Sequence, residues 1–267
     1  MQAGLAANMG DASDDAERRF GGLRRLYGDD GYARLRTLRL AVVGLGGVGS
    51  WVAEALARCG VAALVLVDMD HIAESNINRQ VQALGSTLGR GKAQALSERI
   101  ADIHPACAVQ VVDDFVTPGN WPALLPSPVH GLVDACDQVS AKAALTAWAL
   151  QTGLGFVTVG AAGGKRHPQR VDVEDLGQVT HDPLLASLRH RLRRSGCVPR
   201  AGTGPLGVRC VYSREPVLRP AASACEAGAP LACHGYGSSV MVTATFGMCA
   251  VSALLDDLLR SNRPVPV

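Results

Sequence analysis

One short segment constrains the fold more than any other: a glycine-rich loop between an apolar run and a helical stretch. Leu38–Val43 has the length and composition of a strand buried on both faces. It leads into Gly44-Leu45-Gly46-Gly47-Val48-Gly49-Ser50, and a helix is predicted over Trp51–Cys59, ended by Gly60. A strand, a G-x-G-x-x-G loop and a helix in this order predict a nucleotide-binding α/β unit.

The alternation of strands and helices continues as far as residue 160. It predicts a mainly parallel, doubly wound, Rossmann-like α/β sheet with helices on both faces. Further strands are predicted at Ala63–Val67, Ala108–Val112, Val129–Val133 and Phe156–Val159, and helices at Gly91–Ile103 and Ser140–Gln151, with Ser140 as the N-cap.

Three regions are expected along the chain. Residues 1–17 are small, acidic and without periodicity, which predicts a disordered tail. Residues 18–165 form the nucleotide-binding core, and residues 166–267 form a less regular α+β part of the same domain. In that last part, strands are predicted at Arg170–Val173 and Val208–Tyr212, and helices at Pro183–Arg194 and Ser238–Leu259.

The composition is that of a soluble globular protein, with 48% hydrophobic residues, 19% charged residues and a net charge of +2. The first twenty residues are polar and acidic, unlike a secretory leader. The longest apolar candidate, Val240–Leu255, is interrupted by threonine, glycine and serine. We therefore expect a cytoplasmic protein without membrane insertion, whose eight cysteines are free thiols, metal ligands or reactive groups rather than disulfides.

Polar residues beyond the glycine loop favour ATP over a nicotinamide dinucleotide. Asp68 ends the second strand and suits a pair of ribose hydroxyls. Arg79 and Lys92 have no purpose in a dehydrogenase, whereas an ATP enzyme needs cations to neutralise the triphosphate and the pyrophosphate. Asp137, just past a later strand, is suited to hold Mg²⁺. The alternative interpretation is that Arg79 and Lys92 are solvated cations and that Asp137 caps a helix. It has to hold for all three residues at once.

These motifs together resemble the adenylation domain of ubiquitin-activating enzymes and of the bacterial molybdopterin- and thiamine-pathway adenylyltransferases. The resemblance spans residues 19–165 and includes Asp68-Met69-Asp70, Ser75–Gln80 and Asp134–Asp137. It implies an enzyme that uses ATP and Mg²⁺ to activate a carboxylate as an acyl-adenylate. By the same resemblance the nucleotide is bound by Gly44, Gly46, Gly47, Gly49, Asp68, Asn76, Arg79 and Lys92, the metal by Asp137, and the catalytic residues include Arg79, Lys92 and Asp137.

The resemblance also implies a homodimer, in which an arginine from the partner's N-terminal segment often reaches the ATP. The usual position of that arginine is occupied here by Gly22. Arg19 and Arg25 are the candidates to take its place.

Further stretches are similar to a narrower family, the tRNA threonylcarbamoyladenosine dehydratases. They include Arg19–Gly22, Val112–Pro118, Asp182–Leu184 and Met241–Gly247, so the likeness covers almost the whole chain. It implies adenylation of the threonyl carboxylate on adenosine 37 of tRNA, followed by ring closure with net loss of water. The C-terminal part would then bind substrate and form the dimer. A cysteine desulfurase or sulfur-acceptor protein is a further partner that this family suggests.

Two alternatives are open. The first is an adenylyltransferase that activates the C-terminal Gly-Gly of a small sulfur-carrier protein. Such enzymes typically carry two Cys-x-x-Cys pairs, and no two of the late cysteines have that spacing, so no structural zinc is expected. These cysteines are Cys197, Cys210, Cys225, Cys233 and Cys249. The second is a noncatalytic nucleotide sensor, which would not require the metal ligand and both cations.

The predicted helix Pro183–Arg194 carries several cations opposite its leucines. A tRNA substrate gives them a purpose, because cations on such a face can contact RNA phosphates. A solvated helix face is an equally good interpretation. The candidate tRNA-binding residues are Arg189, Arg191, Arg193 and Arg194.

Cys233 is a candidate nucleophile. It stands beside His234 in an irregular segment before the last helix, where a thiolate could accept an acyl group or sulfur. The alternative is an inert cysteine without a catalytic role.

Overall fold

The computed structural model describes residues 12–202, 204–218 and 236–260. Its seven strands are β1 (Arg39–Val43), β2 (Ala63–Val67), β3 (Ala108–Val112), β4 (Gly131–Asp134), β5 (Gly155–Val159), β6 (Val171–Asp175) and β7 (Arg209–Ser213). They form one sheet in the order β3-β2-β1-β4-β5-β7-β6. All neighbouring strands are parallel except β6, which is antiparallel to β7.

Helices connect the strands and cover both faces of this sheet. They are α1 (Ala12–Leu35), α2 (Gly49–Arg58), α3 (Lys92–Ile103), α4 (Val139–Thr152), α5 (Pro183–Ser195) and α6 (Val240–Arg260). The predicted doubly wound, mainly parallel α/β fold is confirmed. The predicted strands and the helices from α2 onward agree with the structure to within about two residues at each end.

Side chains alternate between two cores, as the two-residue repeat of a strand requires. Leu40 and Val42 of β1 pack on one face with residues of α2, α3 and α6. Ala41 and Val43 pack on the opposite face, where α4 covers the sheet. Because β1 is buried on both sides, its continuous apolar run was a reliable strand signal.

The prediction of a disordered tail over residues 1–17 is wrong for its last part, because α1 begins at Ala12. This helix, broken at Gly28 where φ is 73°, has no continuous apolar stripe and is held by contacts distant in sequence. Arg19 pairs with Asp15 and donates to the carbonyl oxygens of Asp102 and Ile103 at the end of α3. Docking onto the core therefore stabilises a segment whose local sequence gives little indication of a helix.

The predicted N-cap of α4 is also corrected. The helix begins at Val139 with Gln138 as its N-cap, and the amide of Lys142 already donates to the carbonyl oxygen of Gln138 at 3.0 Å. Ser140 therefore lies inside the first turn.

Among the residues that the structure describes, α6 is the one helix long and apolar enough to cross a bilayer, judged by length and composition. Over half of that apolar stretch is buried inside the protein, where it packs on α2, β4 and β5. Its apolar character is that of a core helix.

The carboxyl ends of β1, β2, β3, β4 and β5 all reach the same edge of the sheet. The chain reverses its direction of travel across the sheet between β1 and β4, and the crevice at such a point is where open α/β sheets bind ligands. This edge holds the candidate site.

Candidate active site

A cavity at this edge is formed by the loops that follow the five parallel strands. It brings together most of the residues predicted from the sequence to bind nucleotide and metal. Those that line it are Gly44, Gly46, Gly47, Asp68, Asn76, Arg79, Lys92 and Asp137.

The glycine loop is shaped by close backbone approaches. Gly44 has a φ of +83°, and a Cβ there would lie 2.9 Å from the backbone of Ala135 and Cys136. A Cβ on Gly49 would lie 1.7 Å from the carbonyl oxygen of Gly44, which no side chain can tolerate. Gly49 therefore shapes the loop from behind, as the first residue of α2, while Gly46 and Gly47 line the cavity itself.

The N-terminus of α2 meets the cavity at this loop. Val48, its N-cap, forms no side-chain cap, and the amides of Ser50 and Trp51 donate to the backbone carbonyl oxygens of Gly46 and Val48, each at 3.1 Å. The positive end of the helix dipole at this loop favours an anion such as a phosphate.

Asp68 ties the glycine loop to the end of β2. Its Oδ2 accepts a hydrogen bond from the amide of Leu45 at 2.6 Å, and its Oδ1 accepts one from the amide of Asp70 at 2.8 Å. Burial raises the pKa of this carboxyl, and the nearby Lys92 ammonium opposes that rise. Each carboxylate oxygen has lone pairs beyond these bonds, so Asp68 can also accept from ribose hydroxyls.

Lys92 enters the cavity as the first residue of α3. Its side chain is only 8% exposed, and its Nζ lies 2.7 Å from Oδ2 of Asp70, whose side chain is 53% exposed. Asp70 belongs to the Asp68-Met69-Asp70 motif, but it is not among the site residues predicted from the sequence. A buried ammonium with one half-exposed carboxylate partner is a cation held ready for phosphate oxygens.

Asn76 and Arg79 lie on the turn between β2 and α3. Oδ1 of Asn76 accepts from the amide of Ala73 at 3.0 Å, which fixes the turn. Nη1 of Arg79 donates to the carbonyl oxygen of Ser75 at 2.6 Å and to Oδ1 of Asn78 at 2.9 Å. These bonds occupy one guanidinium nitrogen, so the remaining donors can face an anion in the cavity.

Asp137 is the predicted Mg²⁺ ligand, and it is exposed on the loop after β4. In the described part of the chain no three His, Cys, Asp or Glu side chains are grouped to hold a metal. A single carboxylate at the nucleotide cavity suits Mg²⁺, which commonly binds through one or two carboxylates, substrate phosphates and water. The residues present therefore fit this ion.

Apolar residues form the wall beyond β3. Val116 is buried, while Phe115 is 43% exposed, and both line the cavity. Asn120 holds their loop by donating to the carbonyl oxygen of Phe115 at 2.8 Å and accepting from the amide of Thr117 at 2.7 Å. An apolar wall next to the ribose-side carboxylate Asp68 suits a nucleobase.

A buried ion pair beneath the cavity was missed from the sequence. Nζ of Lys142 lies 3.0 Å from Oδ2 of Asp134, and both side chains are fully buried. The available signal was helical spacing, since Lys142 shares a buried face of α4 with Leu145, Thr146 and Ala149. Such a position in a helix is usually apolar.

Asp182 supports the glycine-rich loop after β5. Its Oδ2 accepts from the amide of Ala161 at 2.9 Å, and its Oδ1 accepts from the amide of Leu185 at 2.9 Å as the N-cap of α5. A Cβ on Gly160 would lie 2.1 Å from Oδ2 of this carboxylate, so glycine is required there. Burial raises the pKa of Asp182.

The four arginines predicted to bind tRNA divide into two pairs. Arg189 donates to the carbonyl oxygens of Leu176 and Val179, each at 2.9 Å, and Arg193 donates to that of Gly202 at 2.9 Å. Arg191 and Arg194 are exposed instead. With Val139, Ser187, His190 and Ser195 they line a groove between α5 and the first residue of α4, here called the α5 groove.

Three further candidate residues were predicted: Cys233, Arg19 and Arg25. Cys233 lies outside the described residues. Arg19, one of the arginines proposed to reach a partner's ATP, is engaged within its own chain by Asp15 and by α3. Arg25 is exposed.

The fold and the cavity define the class of protein: a nucleotide-binding α/β protein whose cavity is lined by the glycine loop, two cations and several carboxylates. Comparison with known proteins gives the family. The model of the ThiF family matches residues 20–261, and this chain belongs to that family.

Two relatives that match over nearly their full length bear the same name. The tRNA threonylcarbamoyladenosine dehydratase of Haemophilus influenzae is 41% identical over 251 residues, covering 93% of this chain and 96% of the relative. That of Escherichia coli is 42% identical over 256 residues, covering 92% and 96%. The crystal structure of the Escherichia coli enzyme in complex with ATP superposes with a TM-score of 0.85 at 42% identity, covering 94% of this chain and 98% of that one. The resemblance seen in the sequence is confirmed.

Proposed function

We propose that this chain is an ATP-dependent dehydratase that cyclises N6-threonylcarbamoyladenosine at position 37 of tRNA. The observation that carries the proposal is the likeness, over nearly the whole chain, to a tRNA threonylcarbamoyladenosine dehydratase whose structure holds ATP. The cavity agrees with it, since its glycine loop, cations and acidic residues suit a nucleoside triphosphate.

The reaction needs activation because hydroxide is a poor leaving group from a carboxylate. In the first step a carboxylate oxygen of the threonyl group attacks the α-phosphorus of ATP, and pyrophosphate leaves. In the second step a nucleophilic atom of the same modified base attacks the acyl carbon, releasing its proton to solvent, and AMP leaves with one former carboxylate oxygen. The base has then lost the elements of water. Because ring closure is intramolecular, proximity assists this step without a covalent enzyme intermediate.

The chain's own residues are assigned by where they lie. Asp68 accepts from the ribose hydroxyls, and the apolar wall of Phe115 and Val116 receives the adenine. Arg79 and Lys92 stabilise negative charge that develops on the phosphates as pyrophosphate leaves. Asp137 would hold Mg²⁺, which when bound supplies further neutralisation of the phosphate charge.

The remaining assignments belong to the same proposal. The RNA backbone lies along the α5 groove, with Arg191 and Arg194 contacting phosphates, while Arg189 and Arg193 keep that surface in shape. The enzyme acts in the cytoplasm as a homodimer, with residues 166–267 contributing substrate binding and dimer contacts. Arg25 is the stronger candidate to reach the partner's ATP. Cys233 remains a candidate acceptor of an acyl group or of sulfur. A cysteine desulfurase or a sulfur-acceptor protein remains a candidate partner.

Activation of the Gly-Gly end of a sulfur-carrier protein is the less well supported alternative, since the relatives that match over nearly their full length bear the dehydratase name. The test is mass spectrometry of nucleosides from tRNA containing threonylcarbamoyladenosine, after incubation with the enzyme, ATP and Mg²⁺. The expected result is an ATP-dependent loss of one water mass from that nucleoside. An unchanged nucleoside, with ATP–pyrophosphate exchange only on addition of a Gly-Gly carrier protein, would support the alternative instead.

A further inference from the structure

The loop that carries Asp137 is fixed from below by buried polar groups. The amide of Ala135 extends the sheet by donating to the carbonyl oxygen of Val43 at 2.8 Å. Nζ of Lys142 donates to the carbonyl oxygen of Cys136 at 3.0 Å, which belongs to the peptide group joining Cys136 to Asp137. The backbone on the N-terminal side of Asp137 is therefore held by a side chain from α4.

Asp134 orients the ammonium of Lys142 and the same loop. Its Oδ1 accepts from the amide of Cys136 at 3.2 Å and from the Cys136 thiol at 2.8 Å. Its Oδ2 accepts from Oγ1 of Thr158 on β5 at 2.7 Å and pairs with Lys142. The carboxylate is thus bonded on both oxygens, and the Asp134–Lys142 pair links β4, β5 and α4 immediately below the loop.

Stability alone is a weak reason for this arrangement. A buried ion pair is costly to desolvate, and apolar residues of similar volume often serve the fold as well or better. Both side chains are fully buried, so neither contacts a substrate. Their bonds converge on the loop whose next residue, Asp137, lies exposed in the cavity.

We infer that Lys142, oriented by Asp134, is a positioning residue that holds the Asp137 carboxylate where it meets Mg²⁺ and the phosphates of ATP. The inference rests on the proposed function, because it gives a purpose to the metal site assigned to Asp137. Supporting residues of this kind behind a metal ligand typically contribute about 10- to 100-fold to metal affinity or activity.

The test replaces the charged pair by neutral residues of similar shape, Asp134→Asn with Lys142→Met, so that no unpaired charge is left buried. ATP binding is measured by calorimetry at increasing Mg²⁺ concentrations, without tRNA. The half-saturating Mg²⁺ concentration is expected to rise about 10- to 100-fold. The same changes in an Asp137→Asn background should have no further effect on it, because residues that act through one another are not additive.

Thr158→Val is a milder second variant that removes one hydrogen bond from Asp134 without changing charge. It should shift the Mg²⁺ dependence in the same direction by a few fold. Glu54→Gln with Arg99→Met is the control, since it neutralises a partly buried ion pair between α2 and α3, away from the loop. That control should leave the Mg²⁺ dependence unchanged.

Two results would overturn the inference. One is a Mg²⁺ dependence like that of the wild type in Thr158→Val and in the folded Asp134→Asn, Lys142→Met protein. The other is an equal effect with and without Asp137. A wild-type protein whose ATP binding is insensitive to Mg²⁺ and to Asp137→Asn would instead contradict the metal site of the proposed function, and the inference with it.

Discussion

At the scale of single residues, some charged side chains of the cavity are held by hydrogen bonds, and others are exposed to a ligand. Asp68 is bonded to backbone amides, and Lys92 is nearly buried beside Asp70. Asp137 is exposed, and Arg79 uses one guanidinium nitrogen to hold its own turn. Asp68, Lys92 and Arg79 are therefore held in place by the protein itself, which is the condition for electrostatic stabilisation of developing charge in the proposed reaction.

Arg79 and Lys92 should be separately essential. Arg79→Ala or Lys92→Met is expected to lower the rate of ATP-dependent dehydration by about 100-fold or more, because each removes a donor to developing phosphate charge. Arg90→Gln is the matched control, since Arg90 lies two residues from Lys92 but pairs with Glu98. Nucleoside mass spectrometry measures the dehydration rate of each variant, and circular dichroism checks that each variant is folded. Wild-type rates in either cavity variant would contradict the assignment.

At the scale of elements, α1 depends on a titratable contact. His104 at the end of α3 packs edge-on against Phe20, with ring centroids 4.7 Å apart, and its Nε2 lies 2.9 Å from Nη1 of Arg36. Burial lowers the pKa of His104, and the charges of Arg36 and Arg19 lower it further, against the Val61 carbonyl and Asp15. The neutral imidazole is thus the form that the folded protein prefers.

The stability that His104 contributes should depend on pH. Because the pKa of His104 is lower in the folded than in the unfolded protein, the stability it contributes is present above about pH 6.5 and is lost as the pH falls. The melting temperature of the wild type should fall between pH 7.5 and 5.5 by more than that of His104→Gln, whose side chain can still accept from Arg36. If thermal melts gave equal decreases in melting temperature for the two proteins, His104 would not contribute to this pH dependence.

Binding of tRNA in the α5 groove, as proposed, should depend on the salt concentration. Arg191→Gln with Arg194→Gln should weaken tRNA binding and reduce the slope of log affinity against log salt by roughly 1.5 to 2, as expected for two lost phosphate contacts. The control is Arg58→Gln with Arg260→Gln, because these exposed arginines lie at the ends of α2 and α6, remote from the cavity edge. Filter binding at several salt concentrations measures both. Equal slopes for the groove variant and the control would mean that the groove is only solvated.

The elements also show what the sequence could predict. The strands of the sheet and helices α2 to α6 follow from apolar runs, glycines and periodicity, which are local signals. The site residues around Asp68, Arg79 and Asp137 followed from motifs of fixed spacing. In contrast, α1 depends on contacts with α3, and the Asp134–Lys142 pair depends on the meeting of β4, β5 and α4. Contacts between distant segments decide these features, so local patterns give at most an indirect signal, such as the position of Lys142 on the buried face of α4.

At the scale of the whole molecule, α6 leaves part of its surface apolar and uncovered. Met241 is 59% exposed and Met248 is 43% exposed, and their spacing of two turns places them on one face of the helix. Large exposed apolar side chains grouped on one face are typical of an interface. A second copy of the chain is the occupant that the proposed homodimer provides.

Met241→Glu with Met248→Glu should therefore convert the dimer to a monomer, because charged side chains would be buried without partners. Val111→Glu is the control, a charge placed on the exposed apolar residue of the edge strand β3. Sedimentation velocity should show half the mass for the α6 variant alone. If the wild type, the α6 variant and the Val111→Glu control were all dimers, the interface would lie elsewhere.

The contact between α6 and the glycine loop has a consequence for biosynthesis. A Cβ on Gly47 would lie 3.0 Å from the Thr243 methyl group, and the Thr243 hydroxyl lies 3.4 Å from the carbonyl oxygen of Arg79, 164 residues earlier in the chain. The glycine loop is thus braced by a helix that leaves the ribosome much later than the loop does. A nascent chain that already carries Gly47 and Arg79 should therefore lack this brace on the cavity until α6 emerges.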